Sequence, residues 1–271
     1  MSAAISVSHT APDRVLDLRL QIERLERAGT AMQPASDTTV SLGSPTLDAA
    51  LPWGGLPAVG LHEVFGDTAA LGFTASLLAR LPEKGPILWC QQGRDLYGQG
   101  LTAFGLDPAR LILVHGRNDT DTLWAMEEGL ATPGLTAVIG MPHKVPPIAG
   151  RRLQLAAEEH GAFALLLRPL DIHAGARAAA ELTATSMALT RWRVATAPSE
   201  PLRDAGEVIG LGAERWRLEL QRCRLSAAQE KTSRYAGHPK SWQVEWHHET
   251  GDLTVVAALR DGSAEPRRLA S

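Results

Sequence analysis

A succession of short, continuously apolar runs, each parted from the next by a stretch of helical pattern, constrains this chain most. Leu61, Val64 and Phe65 supply a first strand bounded by Gly60 and Gly66. Ile87–Cys90, Leu111–Val114, Ala137–Ile139 and Phe163–Leu167 follow, continuous rather than alternating. Strands of that kind need cover on both faces. Their rhythm with the intervening helices predicts an α/β core built on a mostly parallel sheet flanked by helices. The helices are expected over Thr74–Leu81, stopped by Pro82 and Gly85, over Asp121–Leu130, and over Ala149–His160.

Past Pro169 the pattern changes. Met187–Val194, Trp216–Arg222, Trp242–Trp246 and Leu253–Leu259 read as antiparallel strands that extend or cap the sheet on its C-terminal side. Ala197–Ala213 and Ser226–Lys240, polar and bearing Gly or Pro, read as loops. At the other end, Val15, Leu18, Ile22 and Leu25 recur at helical spacing within Pro12–Gly29, an amphipathic helix roughly 25 Å long. The polar stretch Thr30–Thr39 separates it from the core, which divides the chain into 1–39 and 40–271. That apolar stripe packs either on its own domain or on a partner.

The chain has 271 residues, 44% of them hydrophobic, enough for one large core. A net charge of −3 gives no global field for nucleic acid or membrane. Cys90 and Cys223 lack metal-ligand spacing and sit in strand-like runs, as buried reduced thiols do. The first residues lack a signal-peptide pattern and no run reaches the length of a membrane span. A cytoplasmic protein is expected.

Between Gly66 and Thr74 stands a degenerate phosphate loop. Such a loop wraps phosphates with backbone N–H groups, reaches them with a lysine and holds magnesium with a hydroxyl. Gly66, Gly72 and Thr74 remain, but Phe73 takes the lysine position and the glycines are one residue too far apart. Gly66 and Gly72 can equally be turn glycines, with Thr74 an N-cap for the following helix. A helix N-terminus attracts anions without a lysine, yet Asp67 beside it would repel phosphate. The strand ending at Gly140 offers no acid for magnesium, and Gln92 stands where a glutamate would activate water. With these positions vacant no catalytic residue, cofactor or metal is expected.

Two other groupings carry chemistry. His247 and His248 adjoin on a strand and face opposite ways, which suits a polar hairpin turn better than a metal. His143 and Lys144 lie in a Pro-rich loop at a strand's carboxyl end. Residues 215–240 hold seven basic side chains (Arg215, Arg217, Arg222, Arg224, Lys231, Arg234, Lys240) and two acidic ones. Arg215 and Arg217 share the face opposite Trp216, so they could offer guanidinium groups to DNA in a weak, salt-sensitive contact, with Tyr235 stacking on a base; the alternative is a solvated strand face.

Ser41–Leu51, the Gly54–Pro57 turn and Gly60–Gly66 resemble the segment that leads into the ATPase core of RecA-type recombinases. Together with Leu88–Cys90, Gly105–Leu111, Arg151–Glu158, Ala164–Arg168, Thr190–Val194 and Arg215–Leu220, the chain from about Ile22 to Trp246 resembles the ImuA family. The resemblance implies a RecA-like fold without nucleotide-hydrolysing residues and a role in damage-induced mutagenic translesion synthesis. It implies as partners ImuB, an inactive Y-family polymerase, together with an error-prone C-family polymerase and RecA, and an N-terminal helix that joins adjacent subunits. Two readings compete: a RecA-like DNA-dependent ATPase using unconventional groups, and a SulA-like inhibitor of cell division.

Overall fold

The computed structural model describes residues 38–93, 96–170, 186–204, 207–224 and 240–259. The short strand β1 (Thr39–Val40) pairs antiparallel with β2 (Leu56–Pro57), and between them lies the one-turn helix α1 (Pro45–Asp48). Ser44 is its N-cap and Pro45 opens it as expected, but the Ser44 side chain makes no capping hydrogen bond. Asp48 stitches the turn instead, accepting from Ser41 Oγ at 2.6 Å and from the Leu42 amide at 2.7 Å.

Six strands run parallel: β3 (Gly60–Gly66), β4 (Ile87–Gln92), β5 (Leu111–Gly116), β6 (Ala137–Met141), β7 (Phe163–Pro169) and β8 (Thr190–Ala197). The hairpin of β9 (Pro201–Asp204) and β10 (Glu207–Leu211) pairs only with itself. Then β11 (Arg215–Cys223), β12 (Lys240–His247) and β13 (Asp252–Leu259) extend the sheet antiparallel, giving nine strands in the order β13-β12-β11-β8-β3-β7-β6-β4-β5.

Two expectations are corrected here. β8 is parallel to β3, with His62 beside Thr190, and only its other edge is antiparallel. Both faces of its first half are buried, as a strand inside a covered sheet requires. The stretch read as a loop from Ala197 to Ala213 contains the β9–β10 hairpin, whose Leu202, Ile209 and Leu211 face solvent. With no buried face, the hairpin shows none of the alternation that marks a strand in sequence.

Helices cover the two faces unequally. α2 (Thr68–Ala79) lies on one face against β3, β7 and β8. α3 (Asp119–Ala131) and α4 (Pro147–Glu159) pack together on the other. The α2 face holds the larger core, from Leu42 and Phe73 through Trp89 and Leu165 to Trp192, Trp216, Trp242 and Trp246. Trp216 and Leu218 pair across β11 and β12 with Val244 and Trp242, so the two alternating strands contribute to one aromatic layer. Among the described residues no helix is long and apolar enough to cross a membrane.

Candidate functional site

The carboxyl end of β3 is where a phosphate loop would open. Instead a single residue, Asp67, joins β3 to α2. Gly66 has φ 152°, and a Cβ on it would collide with the Val194 carbonyl of β8, so only glycine lets the two strands close here. Asp67 caps α2: Oδ1 accepts from the Ala69 amide at 2.9 Å. Its Oδ2 accepts from the Thr196 amide at 2.8 Å and from Thr196 Oγ1 at 2.9 Å. A carboxylate of the chain itself therefore occupies the place where helix amides would meet an anion.

The helix begins at Thr68, six residues before the predicted start, so Gly72, Phe73 and Thr74 lie inside it. Gly72 is no turn glycine: a Cβ there would press on the Phe104 ring at 2.8 Å and Trp216 at 3.1 Å. Thr74 is no N-cap either, being fully buried mid-helix. Phe73, 0% exposed, packs with ring centroids 6.1 Å from Trp192 and 6.4 Å from Trp216. Position 73, where a phosphate loop would need its lysine, is a core position.

Gln92 and Gly140 have structural occupations of their own. Gln92 Nε2 donates to Asp119 Oδ1 at 2.5 Å, and the same carboxylate accepts the amides of His143 at 2.7 Å and Lys144 at 3.1 Å. Asp119 thus ties the β6–α4 loop to the end of β4. Burial alone would raise its pKa, but those bonds from His143, Gln92 and Lys144 outweigh it and hold the carboxyl below its usual range. A Cβ at Gly140 would run into Met126 Sδ, which leaves an aspartate no room. Asp119 was not singled out from sequence; its signal was only the Asn118 N-cap before it.

The described side chains of the basic region have partners within the chain. Arg215 meets Glu245 through Nε at 2.9 Å and Glu200 through Nη1 at 3.5 Å, and Arg217 Nε meets Glu219 at 2.8 Å. Glu245 and Glu200 lie outside residues 215–240, so a count of charge over that window leaves them out. Arg222 and Arg224 donate to the carbonyls of Ser186 at 2.8 Å and Met187 at 3.1 Å. Burial, then Arg222 and Arg151, lower the Arg224 pKa. Lys231, Arg234 and Tyr235, like Val15, Leu18, Ile22 and Leu25, lie outside the described residues.

His247 Nε2 bonds Thr254 Oγ1 at 2.9 Å while His248 Nδ1 reaches the Ala103 carbonyl at 3.1 Å, so the adjacent rings go separate ways. Burial pushes both thiols, Cys90 and Cys223, up to about 12.

A second feature had no forewarning in sequence. On the α4 face of the sheet, Glu63 sits between two arginines, Arg168 Nη1 at 3.2 Å and Arg191 Nε at 3.3 Å. All three are buried. Arg168 also donates to the His143 carbonyl at 2.9 Å, and the Arg191 guanidinium lies 4.6 Å over the Phe65 ring. They line a cavity of about 320 Å³ with Lys144 and the first turn of α4.

Fold and site define an α/β protein with a mixed nine-stranded sheet, in which the strand-to-helix turn after β3 is closed by its own carboxylate. The chain belongs to the ImuA family: it is 39% identical over 236 residues to Protein ImuA from two strains of Caulobacter vibrioides, covering 82% of this chain and 90% of that protein. It is also 30% identical over 89 residues to the cell division inhibitor SulA of Photorhabdus laumondii, covering 32% of this chain and 49% of that one. No family profile matches the chain.

Proposed function

We propose that this chain is a non-catalytic accessory protein of damage-induced mutagenesis. In this reading it has a RecA-like core and acts as an adaptor for an ImuB-like inactive polymerase, with RecA and an error-prone C-family polymerase as further partners. Family membership supports the biological setting. The observation that carries the non-catalytic part is Asp67, which spends both carboxylate oxygens on Ala69 and Thr196 at the helix end a triphosphate would need. Phosphate there would meet like charge and a capped helix. The buried Phe73, the Gln92–Asp119 bond and the filled space at Gly140 support the same reading.

Two measurements test it. Purified protein given magnesium-ATP and single-stranded DNA is expected to release phosphate at background rate; turnover would return the ATPase alternative. Pull-down of an ImuB-like protein is expected to succeed and to weaken when Leu18 and Ile22 become Asp. Undiminished binding would clear Leu18 and Ile22 of the role, and no capture at all would remove the adaptor.

The SulA match favours one second reading, inhibition of cell division, over about a third of the chain. Filamentous growth on overexpression without DNA damage would support it.

A further inference from the structure

We infer that the cavity between β3, β7, β8 and the first turn of α4 is a phosphate-binding pocket. This does not rest on the adaptor reading. The described lining brings three cationic side chains, Lys144, Arg168 and Arg191, against one carboxylate, Glu63. A phosphate monoester carries about −1.5 to −2 near neutrality, which suits that surplus better than a single carboxylate does.

The two arginines are fixed in advance. Glu63 spans both guanidinium groups from one buried point on β3, at 3.2 and 3.3 Å, while the Phe65 ring supports Arg191 and the His143 carbonyl holds Arg168. Guanidinium forks held this way lose little freedom when an oxyanion arrives. The wall opposite is the start of α4, where Pro146 is the N-cap, Pro147 is the first helical residue and no side chain caps the helix. The Gly150 amide bonds the Pro146 carbonyl, which leaves Ile148 and Ala149 as the first amides with no intrahelical acceptor. Of this turn Pro146, Pro147 and Gly150 line the cavity itself. Leu61, Val145 and Leu166 supply an apolar side, and about 320 Å³ exceeds a bare phosphate, so the pocket suits a phosphate carried on a larger group.

The contrast with the β3–α2 turn strengthens the inference. There an acidic side chain fills the helix end; at α4 the residues Pro146, Pro147 and Gly150 share a cavity with three cations. Any oxyanion is therefore directed to the α4 face of the sheet and away from the α2 face.

The test is calorimetric titration of the full chain with inorganic pyrophosphate, with and without a short single-stranded oligonucleotide. Saturable pyrophosphate binding with a Kd of about 1 mM or tighter is expected. Lys144→Glu, on an exposed loop residue outside the core, should weaken it about tenfold or more. Amide shifts on binding should centre on Lys144, Val145 and Gly150, which line the cavity. Arg191→Gln risks unfolding by stranding Glu63, so Lys144→Glu decides. If pyrophosphate displaces the oligonucleotide, the phosphate belongs to a nucleic-acid backbone; if it binds with no competition, to a small phosphorylated molecule. No saturable binding of either probe, or binding that Lys144→Glu leaves unchanged, would overturn the pocket.

Discussion

His62 shows how one residue can carry a pH dependence that the sequence does not advertise. Its Nε2 faces the Pro57 carbonyl at 2.9 Å and so carries the proton, while Nδ1 accepts from Thr190 Oγ1 at 2.8 Å. Thr190 in turn accepts from Trp192 Nε1 at 3.2 Å, so the neutral ring is fully satisfied and a second proton would break the chain. Burial lowers its pKa to about 4, the Pro57 bond only partly offsetting this. The unfolded chain takes up that proton near pH 6.5, the folded chain only near 4. Stability is therefore full above about 6.5 and is lost as pH falls toward about 4, by up to roughly 3 kcal/mol. Urea midpoints at pH 7 and pH 4.5 should differ, and His62→Gln should shrink the difference. Asp67 is the second residue whose role is exact enough to test. Asp67→Ala removes a helix cap and the tie to Thr196, and is expected to cost about 1–2 kcal/mol in urea melts. If the cap were idle the midpoint would not move.

At the scale of elements, α2 and β6 explain why Phe73 and Gly140 cannot simply be exchanged for charged residues. Phe73→Lys would bury an ammonium between Trp192 and Trp216 at a site with no solvent access. Such a change is expected to cost several kcal/mol and lower the melting temperature steeply, without creating ATP binding. Gly140→Asp would push a carboxylate into buried Met126, with a loss of about 2–4 kcal/mol. A variant that kept wild-type stability and gained hydrolysis would contradict both expectations. The same elements mark the limit of what sequence patterns reveal. Five of the six parallel strands were readable because their apolar runs, such as Phe163–Leu167, are too short for a helix and stand between turn residues, whereas β8 was not. The start of α2 was not, because Thr68–Ala79 is buried nearly all round and offers no polar face to fix a phase or a boundary. Nor could a local count of charge reveal that Glu245 and Glu200 neutralise Arg215, since strand pairing brings them together from outside the window. The Glu63 cluster was hidden for the same reason: its three members come from three strands.

The whole sheet joins two architectures, and its core decides whether they behave as one. The parallel strands contribute Trp89, Phe163 and Leu165 to the α2 face; the antiparallel extension contributes Trp216, Trp242 and Trp246. Between them Trp192 of β8 and Phe73 of α2 bridge the halves, with Trp192 6.1 Å from both Phe73 and Trp242. β8 itself is hydrogen-bonded to β3 on one edge and to β11 on the other. With no seam in the apolar layer, neither half can expose its face without stripping the other, so loss of structure should be all-or-none. Tryptophan fluorescence, which reports on the extension through Trp216, Trp242 and Trp246 and on the parallel half through Trp89, should follow the same urea transition as far-UV circular dichroism. Trp216→Ala leaves Phe73, Phe104 and Trp246 without their common neighbour and should cost about 3–5 kcal/mol. Both signals should then move to lower urea together. Were the antiparallel strands an appendage, Trp216→Ala would split the curve, with fluorescence lost first while the parallel strands kept their circular dichroism.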